Sequence, residues 1–344
     1  MADIIGDEVI ILTHSQQGKL PIYPFSENIK KIDLEVNYES SISYFHPKNL
    51  FKIIRHRKAL KKILQSLKPD IVVSSSFGPD YYFIPDLCDK IPTVKEYHTT
   101  AHFINKPSSL KTRILDYLTK RADQKYSSRV LLNEDETKYY KGNNLTVIPN
   151  PTERDSRRCS LDPKKIVAAG RISYQKNFED LVSIFSLVAD EFPEWEVHIY
   201  GEDYLNRQTQ IQTMIESKGL TDRIIFKGIT ADLKETFMEY SIYAMTSAHE
   251  TFPMVLLEAL SVGLPIVSYD CPTGPSRIIS DKEDGFLVPY LNSVIFAEQL
   301  KKLMADENLR KEMGAQAKIN AQRFEISKVM AAWKKLFSEI QTQP

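Results

Sequence analysis

The chain has 344 residues, 45 Lys+Arg against 45 Asp+Glu, 42% hydrophobic and 26% charged; it is long enough for two domains and too apolar for a disordered chain. Twelve Gly and 18 Pro exclude a collagen-like or low-complexity chain, and three scattered cysteines (Cys88, Cys159, Cys271) form neither a disulfide framework nor a zinc pattern, which implies a reducing compartment. No run approaches ~18 uninterrupted apolar residues, and the opening MADIIGDEVIIL has no basic n-region, so a cytoplasmic protein is expected.

Short β-branched runs alternate with longer amphipathic ones along the chain. Residues 1–6 read as a helix end, followed by a strand at 8–13; the strand, Gly-rich turn and helix that normally open a doubly wound domain are missing from the pattern. A helix at 49–67 comes next. From Lys48 to Lys68 there are eight Lys/Arg and no acid, while Leu50, Ile53, Ile54, Leu60, Ile63, Leu64 and Leu67 make an apolar stripe. Such a helix suits docking on an anionic membrane, at about 1 kcal/mol per cation near the surface. It equally suits a core helix with a solvated Lys-rich face. Strands at 70–74, 93–97, 129–132 and 146–148, with a helix at 108–126, complete the first half.

Pro149-Asn150-Pro151 disfavours helix and central strand alike and reads as a linker. Beyond it, strands at 165–169, 196–200, 224–227, 242–246, 265–269 and 285–288 alternate with helices at 178–191, 205–217, 233–239, 253–262, 294–304 and 308–324. Alternation of this kind predicts an α/β chain of two doubly wound domains, 1–150 and 151–326, with parallel sheets covered on both faces. A last amphipathic helix at 327–340 needs a surface to cover, and the first domain is the expected one. Residues 1–150 carry 22 Lys+Arg and 17 Asp+Glu, net +5, and residues 151–344 carry 23 and 28, net −5. The halves are therefore expected to face different partners. Nucleic acid is not among them, because the chain is neutral and has no aromatic-plus-basic binding motif.

Two constellations carry chemistry. Gly170-Arg171 and Lys176-Asn177 lie between a strand and a helix, with Asn177 a candidate N-cap; two fixed cations beside a helix start suit a diphosphate. His249-Glu250-Thr-Phe252-Pro253-Met254 follows a buried strand, with Pro253 at the first position of the next helix and Glu258, on that helix, about two turns away from Glu250. Carboxylates accept paired hydrogen bonds from vicinal diols, and the helix start can receive phosphate oxygens.

Together these segments resemble retaining family-4 glycosyltransferases of the GT-B fold, two Rossmann-like domains facing across a cleft. The matching text is AAGRISYQKNFEDLVSIF, HIYGEDYL, SAHETFPMVLLEALSVGLPIVSYDCPTGPSRII and DGFLVP, with weaker likeness in LKPDIVVSS, VKEYHTTAHF and VIPNP. The resemblance implies that Arg171 and Lys176 stabilise the departing nucleoside diphosphate. Glu250 would hold donor-sugar hydroxyls with Gly170 and the main chain of Phe252, Pro253 and Met254 beside it, Glu258 the ribose diol, and His98 would reach the donor sugar across the cleft. It also implies transfer of a hexose from a UDP- or GDP-sugar to a glycan or lipid-linked acceptor in capsule or lipopolysaccharide synthesis, at the inner face of the membrane. No DxD motif occurs, and neither metal nor cofactor is expected; His98 and His102 are four apart without a third ligand. Three departures stand out. The Gly-rich loop is missing, Gly201-Glu202-Asp203 lacks a second glycine, and Arg277 replaces a Glu that touches the donor region. They keep a non-catalytic GT-B partner subunit as the alternative, with a sugar phosphorylase or epimerase behind it.

Overall fold

The computed structural model describes residues 1–19, 25–39, 41–44, 46–100 and 109–342. The first half runs α1 (Ala2–Ile5), β1 (Val9–Thr13), β2 (Ile29–Asp33), α2 (Pro47–Leu67), β3 (Val72–Ser74), α3 (Asp80–Leu87), β4 (Thr93–Glu96), α4 (Leu110–Asp123), β5 (Ser128–Leu131), a 3-10 turn Glu134–Tyr139, and β6 (Leu145–Val147). The second runs β7 (Lys165–Ala169), α5 (Phe178–Ser186), β8 (Glu196–Tyr200), α6 (Arg207–Ser217), β9 (Ile224–Gly228), α7 (Leu233–Phe237), β10 (Ile242–Met245), α8 (Met254–Ser261) and β11 (Ile266–Asp270). It continues through α9 (Pro275–Ile278), β12 (Gly285–Pro289), α10 (Ser293–Ala305) and α11 (Glu307–Ala321) to α12 (Ile326–Gln341).

The second half is one six-stranded parallel sheet in the order β12-β11-β10-β7-β8-β9. Its strands are apolar on both faces. In β7, Ile166 and Ala168 point into one core with Phe185 and Trp195, while Val167 and Ala169 point into the other with Leu256 and Leu260. Residues two apart share a face, so continuous apolar runs are what a sheet covered by helices on both sides requires.

Among the described residues the first half holds two parallel groups, β1-β2 and β3-β4-β5-β6, whose strands are not hydrogen-bonded to each other. They share a core all the same, since Leu12 of β1 and Val72 of β3 pack against Leu60 and Leu64 of α2. Neither β2 nor α3 was expected. β2 reads Ile-Lys-Lys-Ile-Asp, two of its five positions solvent-facing lysines, and Pro85 lies inside α3. α2 divides the expected apolar stripe: Leu60 and Leu64 are buried, whereas Leu50 and Ile54 are exposed. α12 returns to the first domain and covers Val94, Val130 and Ile148 with Val329, Trp333, Leu336 and Ile340.

Candidate functional site

In an open parallel sheet, ligands bind outside the carboxyl ends of the strands where the strand order reverses. Here the chain adds β8 and β9 on one side of β7, then β10 to β12 on the other, which puts the crevice between β7 and β10. The loop after β7 contains Gly170-Arg171 and Lys176; the loop after β10 contains His249 and Glu250.

The two loops are tied to each other by hydrogen bonds. Ala248 N donates to Gln175 O at 2.7 Å, Gln175 Nε2 donates to His249 O at 3.0 Å, and Thr246 Oγ1 lies 3.1 and 3.0 Å from the carbonyls of Lys176 and Asn177. Across this joint Lys176 Nζ meets Glu250 Oε1 at 2.6 Å, with both side chains largely out of solvent. Gly170, at φ 145°, leaves room for the lysine stem: a Cβ there would lie 2.6 Å from Lys176 Cε. At Gly201 (φ 153°) a Cβ would lie 1.9 Å from Gly170 O, so β7 and β8 can end side by side only over a glycine. Asn177 occupies the N-cap of α5, as expected, but in the left-handed region at φ 50°, and its side chain makes no capping bond; Thr246 holds that turn instead. Pro253 precedes the first helical residue of α8 rather than occupying it, and α8 has no side-chain cap. Its first-turn N–H groups are therefore not taken up by a capping side chain.

The first domain closes the other side of the crevice. The cleft is lined by His98, Thr99 and Thr100 after β4 and by Gln175, His249, Glu250, Thr251 and Phe252. Asn133 Nδ2 donates to Thr251 O at 2.6 Å. Thr273 Oγ1 donates to the Glu250 carbonyl and lies 3.4 Å from Thr100 Oγ1. Glu250 is thus fixed at its side chain by Lys176 and at its backbone by Thr273, with the neighbouring Thr251 held from the first domain.

Of the expected site residues, His98, Glu250 and Phe252 line one cleft, and Lys176 reaches it through its ion pair. His98 is partly exposed and pairs with Glu96 at 3.1 Å. Arg171 turns the other way, its guanidinium 5.3 Å from the centre of the Tyr204 ring. Pro253 is buried and Met254 is 41% exposed. Glu258 lies within α8, where burial pushes its carboxyl above the ordinary range against the pull of Lys234. His102 falls outside the described residues. Among the described residues no group of three or more His, Cys, Asp or Glu could hold a metal ion.

Arg277, expected beside the donor region, reaches instead into the first domain. Its Nε and Nη2 meet the two carboxylate oxygens of Asp135 at 2.9 and 2.6 Å, and Nη1 meets Glu134 at 2.9 Å. These bonds hold the Asp135 carboxyl below its usual range. Asn133 and the Arg277 fork went unread in the sequence, because their partners lie in the opposite domain, and so did Thr273, which joins Glu250 of its own domain to Thr100 of the other.

The family model described as "Glycosyl transferases group 1" matches residues 149–320, and "Glycosyltransferase Family 4" matches residues 5–156. An exopolysaccharide phosphotransferase of Streptomyces coelicolor is 33% identical over 57% of this chain and 21% of its own. The amylovoran biosynthesis glycosyltransferase AmsD of Erwinia amylovora is 32% identical over 49% of this chain and 46% of its own. The chain thus spans between a fifth and a half of the length of these curated relatives. Among solved structures, the sucrose-phosphate synthase of Thermosynechococcus elongatus superimposes with TM-score 0.79 at 17% identity, over 97% of this chain and 89% of that one. That likeness shows the GT-B fold.

Proposed function

The chain belongs to the glycosyl transferases group 1 family, and from that premise we propose that it is a retaining hexosyltransferase of cell-surface polysaccharide synthesis. It takes a UDP- or GDP-sugar as donor and a glycan hydroxyl, on a lipid-linked chain, as acceptor. The observation that carries the reading is the Lys176–Glu250 pair, held at the crevice between β7 and β10 and faced by His98 from the other domain.

The chemistry follows from where charge develops. Breaking the bond from sugar to phosphate leaves a diphosphate anion and a carbon of oxocarbenium character, so preorganised cations at the departing phosphate lower the barrier most. Lys176 is already oriented by Glu250. Arg171, parked over Tyr204, is free to turn toward the diphosphate, and the start of α8 offers N–H groups to its oxygens. With those charges supplied by the protein, the reaction proceeds without a metal. Glu250 and Glu258 bind hydroxyls of sugar and ribose, and the leaving phosphate takes the acceptor proton on the face it has just left. Glycosidases, by contrast, use paired carboxylates as acid and nucleophile. The cationic helix α2 lies on an anionic membrane and brings the cleft to its acceptor.

Calorimetric titration with UDP and with GDP, with and without magnesium, tests the reading. Micromolar binding of one nucleotide that ignores magnesium is expected, with roughly tenfold weakening in Glu258→Gln, the cost of one charged hydrogen bond. No binding of either nucleotide would overturn it in favour of a non-catalytic partner subunit.

A further inference from the structure

The pattern Glu-x-His occurs twice in the chain, as Glu96-Tyr97-His98 at the end of β4 and as Glu196-Val197-His198 in β8. Residues two apart on an extended backbone share a face, so each glutamate stands beside its histidine. Past β4 the backbone stays paired through Tyr97, whose N–H donates to Val130 O at 3.0 Å. Glu96 Oε2 lies 3.1 Å from His98 Nε2, and Glu196 Oε2 lies 3.0 Å from His198 Nε2.

An ionised carboxylate only accepts. With either ring neutral, Nε2 therefore carries the proton and Nδ1 keeps a lone pair, made more basic by the anion across the ring. The two copies differ in what meets that lone pair. His198 is buried, which holds it below the ordinary histidine range, and its Nδ1 lies 2.7 Å from the Tyr240 hydroxyl. The His98 side chain is 43% exposed and lines the cleft, and no described residue hydrogen-bonds its Nδ1. The closed copy shows the chemistry that the open one is made for, a hydroxyl.

We propose that Glu96 is a positioning residue for the donor sugar. It holds His98 so that Nδ1 accepts a hydroxyl of the sugar lying against Glu250, and the pair favours neutral sugars over uronic acids. The inference rests on the transferase reading and deepens it by naming the class of sugar. A hydroxyl finds a ring already oriented, with little left to order on binding. A sugar carboxylate would instead meet a lone pair backed by an anion. Among the described residues no lysine or arginine lines the cleft, and Lys176, which reaches it, is paired with Glu250. An anion brought there loses its water and finds no free cation in return.

Calorimetry on the full chain tests this. The bare nucleotides are UDP and GDP. The neutral donors are UDP-glucose, UDP-galactose, UDP-N-acetylglucosamine and GDP-mannose, and the acidic ones UDP-glucuronate, UDP-galacturonate and GDP-mannuronate. The best neutral donor should bind roughly tenfold or more tighter than its uronate. Glu96→Leu should weaken that donor about fivefold, one hydrogen bond, and leave the bare nucleotide unchanged. Glu96→Gln keeps an oxygen for Nε2 but not the charge. It should hold the neutral donor within about twofold while losing much of the rejection of the uronate. A merely structural glutamate would move bare nucleotide and donor together. In 15N spectra at about pH 8, where an unperturbed imidazole is neutral, His98 Nδ1 should be unprotonated and should shift with the neutral donor but not with the bare nucleotide. His198 is the internal reference and should not move. A proton on His98 Nδ1, a Glu96→Leu variant that binds the neutral donor as the wild type does, or a uronate bound as tightly as its neutral counterpart would overturn the proposal. Nucleotide binding with any of these results defeats this inference alone, whereas no nucleotide binding defeats the transferase reading with it.

Discussion

The central strands of the two domains solve the same problem differently. β7 sends Ile166, Val167, Ala168 and Ala169 into apolar cores on both faces. β4 is apolar on one face, where Val94 meets α12, but on the other it buries Lys95, and its neighbour β5 buries Arg129. Those cations need answering groups. Lys95 donates to the carbonyls of Ser74 (3.4 Å) and Ser76 (2.5 Å), with the rings of Phe77, Tyr81 and Tyr97 around it. Arg129 pairs with Asp123, which also accepts from the hydroxyls of Tyr81 and Tyr97. A buried polar network is stable only while every member is satisfied, whereas an apolar core tolerates local change. The second domain is thus built for a rigid crevice, and the first for a shape specified by charge.

The sharpest way to break the contrast is at the crevice. Lys176→Ala should lower turnover by about 100- to 1000-fold, the usual loss of one preorganised charge at a developing anion. It also strands Glu250. The double variant Lys176→Ala/Glu250→Gln should recover melting temperature without recovering turnover; recovery of both would show that the pair is structural.

In the first domain the expected signature is pH dependence. Burial lowers the Lys95 amine to about 8. Between that value and the ordinary lysine value near 10.5 the unfolded chain holds more protons than the folded one, so stability rises as pH climbs through this window. Relative to Lys95→Met, the wild type should gain about 3 kcal/mol between pH 7 and 10.5, at about 1.4 kcal/mol per pH unit inside the window and less at its two ends. Urea midpoints across that range measure it, and parallel curves would place the proton elsewhere. The smallest effect is at the join. Arg277 is 42% exposed, so Arg277→Ala should cost no more than about 1 kcal/mol. A double-mutant cycle with Asp135→Asn should nevertheless show coupling that fades with salt; none would mean that the domains are not fastened there.

Legibility followed the same divide. Both loops of the crevice could be read from one sequence, because each combines its charged residues with a strand before and a helix after. That they lie side by side could not, since it depends on β10 pairing with β7 rather than with β9. β2 was hidden by Lys30 and Lys31 and α3 by Pro85, both against local propensity. The period of α4 predicted a helix, but not that its apolar face, with Leu110, Ile114, Tyr117 and Leu118, would be left exposed. Arg277 was legible as an oddity, and its meaning required the position of Asp135.

The return of α12 has a consequence in time. Domains usually fold as units while the chain is being made, the earlier one first. Here the face formed by Val94, Val130 and Ile148 is covered by Val329, Trp333, Leu336 and Ile340, which are translated only after all the strands of the second domain. The half synthesised first is therefore the half completed last, and until α12 leaves the ribosome it presents a bare apolar sheet to whatever chaperone is waiting.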